Sequence, residues 1–264
     1  MAVSLLINTA GENIDSITLS GGSTSDTYSL NDLIAGNRSE MWRRTRTATA
    51  GRVIYQLTES LSMTHCVVAR ADLLLTRAGQ NVAVEYHDGS NQAIQSYSPL
   101  MADDLVGIRV DGKPHGQDLV CAFNAPVTAN RFQLFFDAAG GGSEANMFAK
   151  LYFCNAFHFG IEPDPEPVWS GYHAEKAELV KPLTGYEEYA VRDGITLNWS
   201  FVSRAKIAEF EMLNQRWGMF IYDSTGDIFE HRLEHVCIEQ WNWERVGADA
   251  FNVEIRFRRL AHYA

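Results

Sequence analysis

The sequence predicts a mainly β protein: an N-terminal β-sandwich of the jelly-roll kind, then a β-rich α+β domain with one packed helix. Three observations carry this. Up to about residue 162, short apolar or alternating runs are separated by Gly, Asn and Asp turns. A stiff proline segment then interrupts the chain. Only one stretch after it, near residues 203–217, has apolar residues at helical spacing.

In the first part, SLLIN, SITLS, RVIYQL, HCVVARADLLL, NVAVEYHD, LVGIRV, DLVCAF, RFQLFFDA and AKLYFCNAFHFG read as strands. AGQ, DGS, DGKPHG, APVTAN and AAGGGS read as the turns between them. NVAVEYHD alternates as a half-buried strand should, with Val82, Val84 and Tyr86 on one side and Ala83, Glu85 and His87 on the other. IEPDPEPVWSGYH follows. Pro163, Pro165 and Pro167 fix φ and hold their predecessors extended, so this is a connector. The expected division is a sandwich over 1–162, a connector over 163–168 and an oligomerisation domain over 169–264.

In the last part, ITLNWSFV alternates, placing Ile195, Leu197, Trp199 and Phe201 on one face. Ser203 is an N-cap candidate, because its hydroxyl can accept from a first-turn amide. Ile207, Phe210, Leu213 and Trp217 form a helical stripe, and Gly218 is the stop. MFIYDS and VEIRFRRL read as further strands, the latter with Val253, Ile255 and Phe257 on one face.

Composition narrows the function classes. The chain has 264 residues, 46% apolar and 21% charged, which is globular rather than disordered. Its net charge of −11 opposes general nucleic-acid binding, and no nucleic-acid sequence recognition is expected. Arg43, Arg44, Arg46 and Arg52 make the one local basic stretch, read as a solvated or interface-facing loop. No run approaches the ~18 apolar residues of a membrane span, so no insertion is expected. MAVSLLINTAGENIDS lacks a basic segment and is not read as a signal peptide. The four cysteines contain no C-x-x-C pair, and Cys66, Cys121 and Cys154 lie in apolar runs, so reduced, buried thiols are expected.

No catalytic set emerges, and the chain is read as non-enzymatic, without cofactor or metal. The sharpest match to a chemical motif is His231-Arg232-Leu233-Glu234-His235, which fits H-x-x-E-H. On a helix its histidines would converge on one zinc ion; on a strand they lie ~13 Å apart. Val236, Ile238 and Trp241 favour the strand, and a zinc hydrolase is the weaker alternative. Trp241 and Trp243 share a face of an extended chain. With Trp169 they suit a core, an interface or an aromatic glycan platform. Phe210 and Trp217 on the helix complete the interface candidates.

Two resemblances add to this. Asn31 and Asp32 form an asparagine–aspartate turn, Trp42 follows about ten residues later, and RFQLFF and AKLYFCNAFHFG close the region. On these residues the region from about 5 to 160 resembles the galactose-binding, or discoidin-like, jelly-roll family. There the turn and tryptophan are largely structural. The resemblance carries over no sugar site from them; Asp32, Trp42 and Arg43 stand only as candidate glycan contacts, with a cell-surface glycan as the candidate partner. Some members bind a metal at the turn, but here Asp32 stands without an acidic cluster.

The second resemblance covers about residues 185–260. The order strand, helix with F-x-x-L-N, R-W-G, strand and β-rich end, around AEFEMLNQRWGMFIYDSTGD, resembles minor and distal tail (tail-tip, baseplate) proteins of long-tailed bacteriophages. It implies a structural virion protein assembled in the host bacterial cytoplasm, forming a homo-oligomeric ring beside tail-tube and tail-tip neighbours. In those distal tail proteins the ring-forming part comes first; here it comes second. The alternative function is a carbohydrate-binding protein using the jelly roll.

Overall fold

The computed structural model describes residues 3–8, 13–20, 30, 33, 42–43, 51–69, 82–87, 93–97, 105–106, 109–110, 113–114, 118–136, 147–148, 150–165, 168–170, 194–213, 219–224 and 233–259. The first twelve strands are β1 (Val3–Asn8), β2 (Ile14–Ser20), β3 (Trp42–Arg43), β4 (Gly51–Ala69), β5 (Val82–His87), β6 (Ala93–Tyr97), β7 (Leu105–Val106), β8 (Arg109–Val110), β9 (Lys113–Pro114), β10 (Asp118–Phe136), β11 (Met147–Phe148) and β12 (Lys150–Phe157). There follow β13 (Val168–Ser170), β14 (Gly194–Val202), α1 (Arg204–Leu213), β15 (Met219–Asp223), β16 (Leu233–Arg245) and β17 (Phe251–Arg259). The fold is mainly antiparallel β with one helix among the described residues.

The chain divides into two compact units: Met1–Ile7 with Phe157–Tyr263, and Asn8–Ala156. This differs from a linear cut at the proline segment. The first strand belongs to the later unit, and the sandwich is inserted after it.

In the inserted unit, β4 and β10 are each 19 residues long and antiparallel to one another. Register shifts at Ala122/Val127 and Ala129/Arg131 divide this ladder. The half with Gly51–Gln56 opposite Arg131–Phe136 is extended by β2 on one side and by β5 and β6 on the other. The half with His65–Val68 opposite Leu119–Ala122 is extended by β12 and β7. Two sheets sharing two long strands make the jelly-roll sandwich. Its core follows the alternation: Val53, Tyr55 and Leu57 from the first sheet, Cys66, Val68, Leu151 and Phe153 from the second. Tyr55 and Phe132 meet Phe153 at 5.5 and 4.5 Å between ring centroids, so the two inner faces interlock.

The other unit is one sheet in the order β13-β14-β17-β16-β15-β1. Strand β1 pairs with β15 from Val3↔Asp223 to Ile7↔Met219. Helix α1 packs on this unit through Ile207 and Phe210. The cap is formed as expected: the Lys206 amide donates to Ser203 O at 3.1 Å and, more weakly, to Ser203 Oγ at 3.4 Å. Phe210 lies among Phe157, Phe159 and Trp241, with centroids 5.1–5.4 Å away. Trp217 and Gly218 lie outside the described residues.

After β12 the chain turns at Gly160, whose φ of 89° is a region glycine enters without a Cβ clash. The proline segment is then pinned rather than loose. Pro163 is buried, Asp164 N donates to Asn198 O at 2.8 Å, and Val3 N donates to Glu162 Oε2 at 3.1 Å. Glu162, Asp164 and Pro165 stay exposed. Among the described residues no helix is long and apolar enough to cross a membrane.

Candidate functional site

The most distinctive surface lies at one end of the β14–β17–β16 ladder. Alternation along β14 buries Ile195, Leu197 and Trp199 and predicts Phe201 inside with them. The structure corrects this. The β14–β17 register shifts between Trp199 and Val202, so Val202 takes the buried place and Phe201 is 73% exposed. Phe201 has φ of 64°, the left-handed region that bulky side chains avoid. Backbone strain thus accompanies an aromatic ring held in water, a combination found at functional positions.

Three residues later the chain enters α1. Facing the helix is the β16–β17 hairpin, whose turn is built by its own bonds. Arg245 donates Nε to Gly247 O at 2.8 Å and Nη2 to Ala248 O at 3.0 Å; Val246 N donates to Ala250 O at 2.9 Å. Trp243 packs edge-on to Phe251 at 5.3 Å yet is 49% exposed, and Val246 beyond it is exposed too. Between helix and hairpin runs a groove of about 370 Å³, lined by Arg204, Ile207, Ala208, Glu211, Trp243, Arg245, Ala248 and Phe251. Its floor is apolar, and two guanidinium groups and one carboxylate stand along it.

The expected interface residues separate on the structure. Trp243 is on this surface. Trp241 is half-buried against the Phe210 ring. Phe210 is fully buried, leaving no surface for a partner to touch, because the helical stripe that marked it is the face the helix turns to its own sheet. The Trp169 backbone pairs with Ile195 at the edge strand, and Trp217 lies outside the described residues. Of the glycan candidates, Asp32 is outside the described residues; Trp42 and Arg43 form β3, paired with Phe148 and Met147 of β11. Alternation alone places Phe201 with the core and says nothing of the Arg204–Arg245 groove, because a bulge leaves no mark in a binary pattern.

The H-x-x-E-H match falls on a strand where it is described. Leu233, Glu234 and His235 pair with Tyr222, Ile221 and Phe220 of β15. Glu234 is fully buried and His235 stacks on Phe220 at 4.6 Å, the two pointing to opposite faces. His231 lies outside the described residues, and among those described no three His, Cys, Asp or Glu side chains gather around a common metal position. Cys154 and Cys237 are buried thiols; burial pushes the Cys154 thiol far up, against thiolate chemistry.

No family model matches the chain, and no curated protein matches it. Solved structures do. The lectin domain of lectinolysin complexed with Lewis B antigen is 11% identical, covering 56% of this chain and 96% of that one, with a TM-score of 0.42. A Streptococcus pneumoniae fucose-binding module is 12% identical over 56% of this chain and 96% of its own, at 0.41. A chitosan-binding module of a chitosanase/glucanase from Paenibacillus sp. IK-5 is 11% identical over 57% and 99%, at 0.39.

Proposed function

We propose that the chain is a non-enzymatic assembly and recognition protein: the unit built from β1 and β13–β17 associates with copies of itself, and the inserted sandwich is carried to engage carbohydrate. The observation that carries the first part is the exposed end of the β14–β17–β16 ladder, where Phe201 and Trp243 stand in solvent and Phe201 does so at a backbone cost. A tail tip of a long-tailed phage is the setting that the sequence resemblance implies, with tail-tube and tail-tip proteins as neighbours and the virion as location. The strand order favours it in one respect. The assembly unit already includes β1, so the sandwich is an insertion within that unit rather than a domain placed before it. Light scattering and negative-stain imaging of the purified chain test the reading: rings or discrete oligomers are expected, and a monomer at every concentration, alone and with tail-tube protein, overturns it.

What supports the carbohydrate reading is the jelly-roll architecture of the inserted unit and the resemblance of the region from about 5 to 160 to the galactose-binding family. A glycan array probed with the full chain tests it. Binding to a defined class of sugar is expected, and silence across the array removes this part while leaving the assembly reading in place.

A further inference from the structure

The groove between α1 and the β16–β17 hairpin has a chemistry that selects its occupant. An aromatic ring half in solvent, an apolar floor and two guanidinium groups, Arg204 and Arg245, fit a proline-bearing acidic segment in extended conformation. Proline rings lie on an indole at little entropic cost, because φ is already fixed. A carboxylate can pair with the Arg204 guanidinium, while Arg245, whose Nε and Nη2 already donate to Gly247 O and Ala248 O, adds its positive charge beside it. Among the described residues that line the groove, Glu211 is the one acid beside the two arginines. The chain itself contains such a segment. Glu162, Asp164 and Pro165 are exposed on a stretch whose backbone is already held by the Asp164–Asn198 bond, and Glu166 and Pro167 continue the alternation in sequence.

We infer that the acidic proline segment around Glu162–Pro165 of one copy docks into the Trp243 groove of a second copy. The inference rests on the self-association reading and specifies its contact. Asp164 and Pro165 stand on a segment pinned to its own sheet, with the Glu162 carboxylate holding Val3 N, so little ordering cost falls on binding. The groove's volume of about 370 Å³ admits a short stretch of extended chain and not a whole helix or strand pair.

The test uses charge exchange in the full chain. Arg204→Glu places an acid at the first helical residue, where the helix dipole tolerates it, and Asp164→Arg leaves the backbone bond of Asp164 intact, so both variants keep the fold. Sedimentation of each single variant is expected to show association weakened by roughly tenfold or more, with the Arg204→Glu/Asp164→Arg pair recovering much of the loss. Wild-type association is expected to weaken as salt rises from about 50 mM to about 500 mM, a measurement that needs no variant. If the wild type never associates, the self-association reading fails and the contact with it. If the wild type associates but neither exchange nor salt changes it, the contact is wrong and the reading stands. If both single variants weaken association and the pair does not recover, the two residues do not face one another and the inference is overturned.

Discussion

Substitution at Phe201 gives a sign that ordinary strand behaviour does not. In a strand interior, glycine is less stable than alanine by about 0.5–1 kcal/mol, because it loses more backbone freedom on folding. Phe201 has φ of 64°, where any residue with a Cβ crowds the following carbonyl at a cost of about 1–2 kcal/mol that glycine escapes. Phe201→Gly and Phe201→Ala both delete the ring, so whatever little the 73%-exposed side chain gains from burial cancels between them. The difference left is strain relief less entropy, and it favours glycine by about 0.5–1 kcal/mol. Urea unfolding followed by tryptophan fluorescence reads it, since Trp199 and Trp241 report on this unit. The expected order is Phe201→Gly above Phe201→Ala. An alanine variant equal to or above the glycine variant would refute the strained-bulge account. Both variants are also expected to associate more weakly than the wild type, which separates what the bulge costs in stability from what the ring does at the surface.

Other outcomes follow from the same packing. Phe210→Ala empties the place where Phe157, Phe159 and Trp241 meet and is expected to cost about 3–5 kcal/mol, read as a lower urea midpoint. Ser203→Ala removes a 3.4 Å cap bond and is expected to cost only about 0.5 kcal/mol by urea titration, the low end for an N-cap. Tyr55→Phe deletes a buried hydroxyl that finds no hydrogen-bond partner among the described residues, and a gain of about 1 kcal/mol is expected; a loss of that size would place a partner there. The pH response has a definite direction. Burial, and after it the neighbouring Cys66, push the Tyr55 phenol up from its ordinary value of 10.0. The stability tied to the neutral phenol is therefore complete below pH 10 and is lost as pH rises past it, when the unfolded chain ionises and the folded one does not. Urea midpoints measured across that range should fall less steeply in Tyr55→Phe than in the wild type.

How much of this was legible depends on which physical signal each feature leaves in the residues. The two-residue period at Val53-Tyr55-Leu57 and Ile195-Leu197-Trp199 is a direct image of which side faces a core, and strands lie there. The helical spacing of Ile207 and Phe210 behaves likewise. That stripe also explains why Phe210 was a poor interface candidate: amphipathic spacing marks the face a helix buries, and a partner must touch another. Two things left no local mark. Strand β1 finds β15 from the far end of the sequence, and pairing at that separation is settled by the whole sheet rather than by the residues of VSLLIN. Phe201 is opposite in kind. Its neighbours alternate without a flaw, and the register shift that expels it arises because the chain must deliver Val202 to the core and then Ser203 to the helix cap within two residues. A perfect alternation would have buried the ring and placed Ser203 in phase with the sheet. The bulge satisfies core and cap together, and it leaves the Phe201 ring outside in solvent.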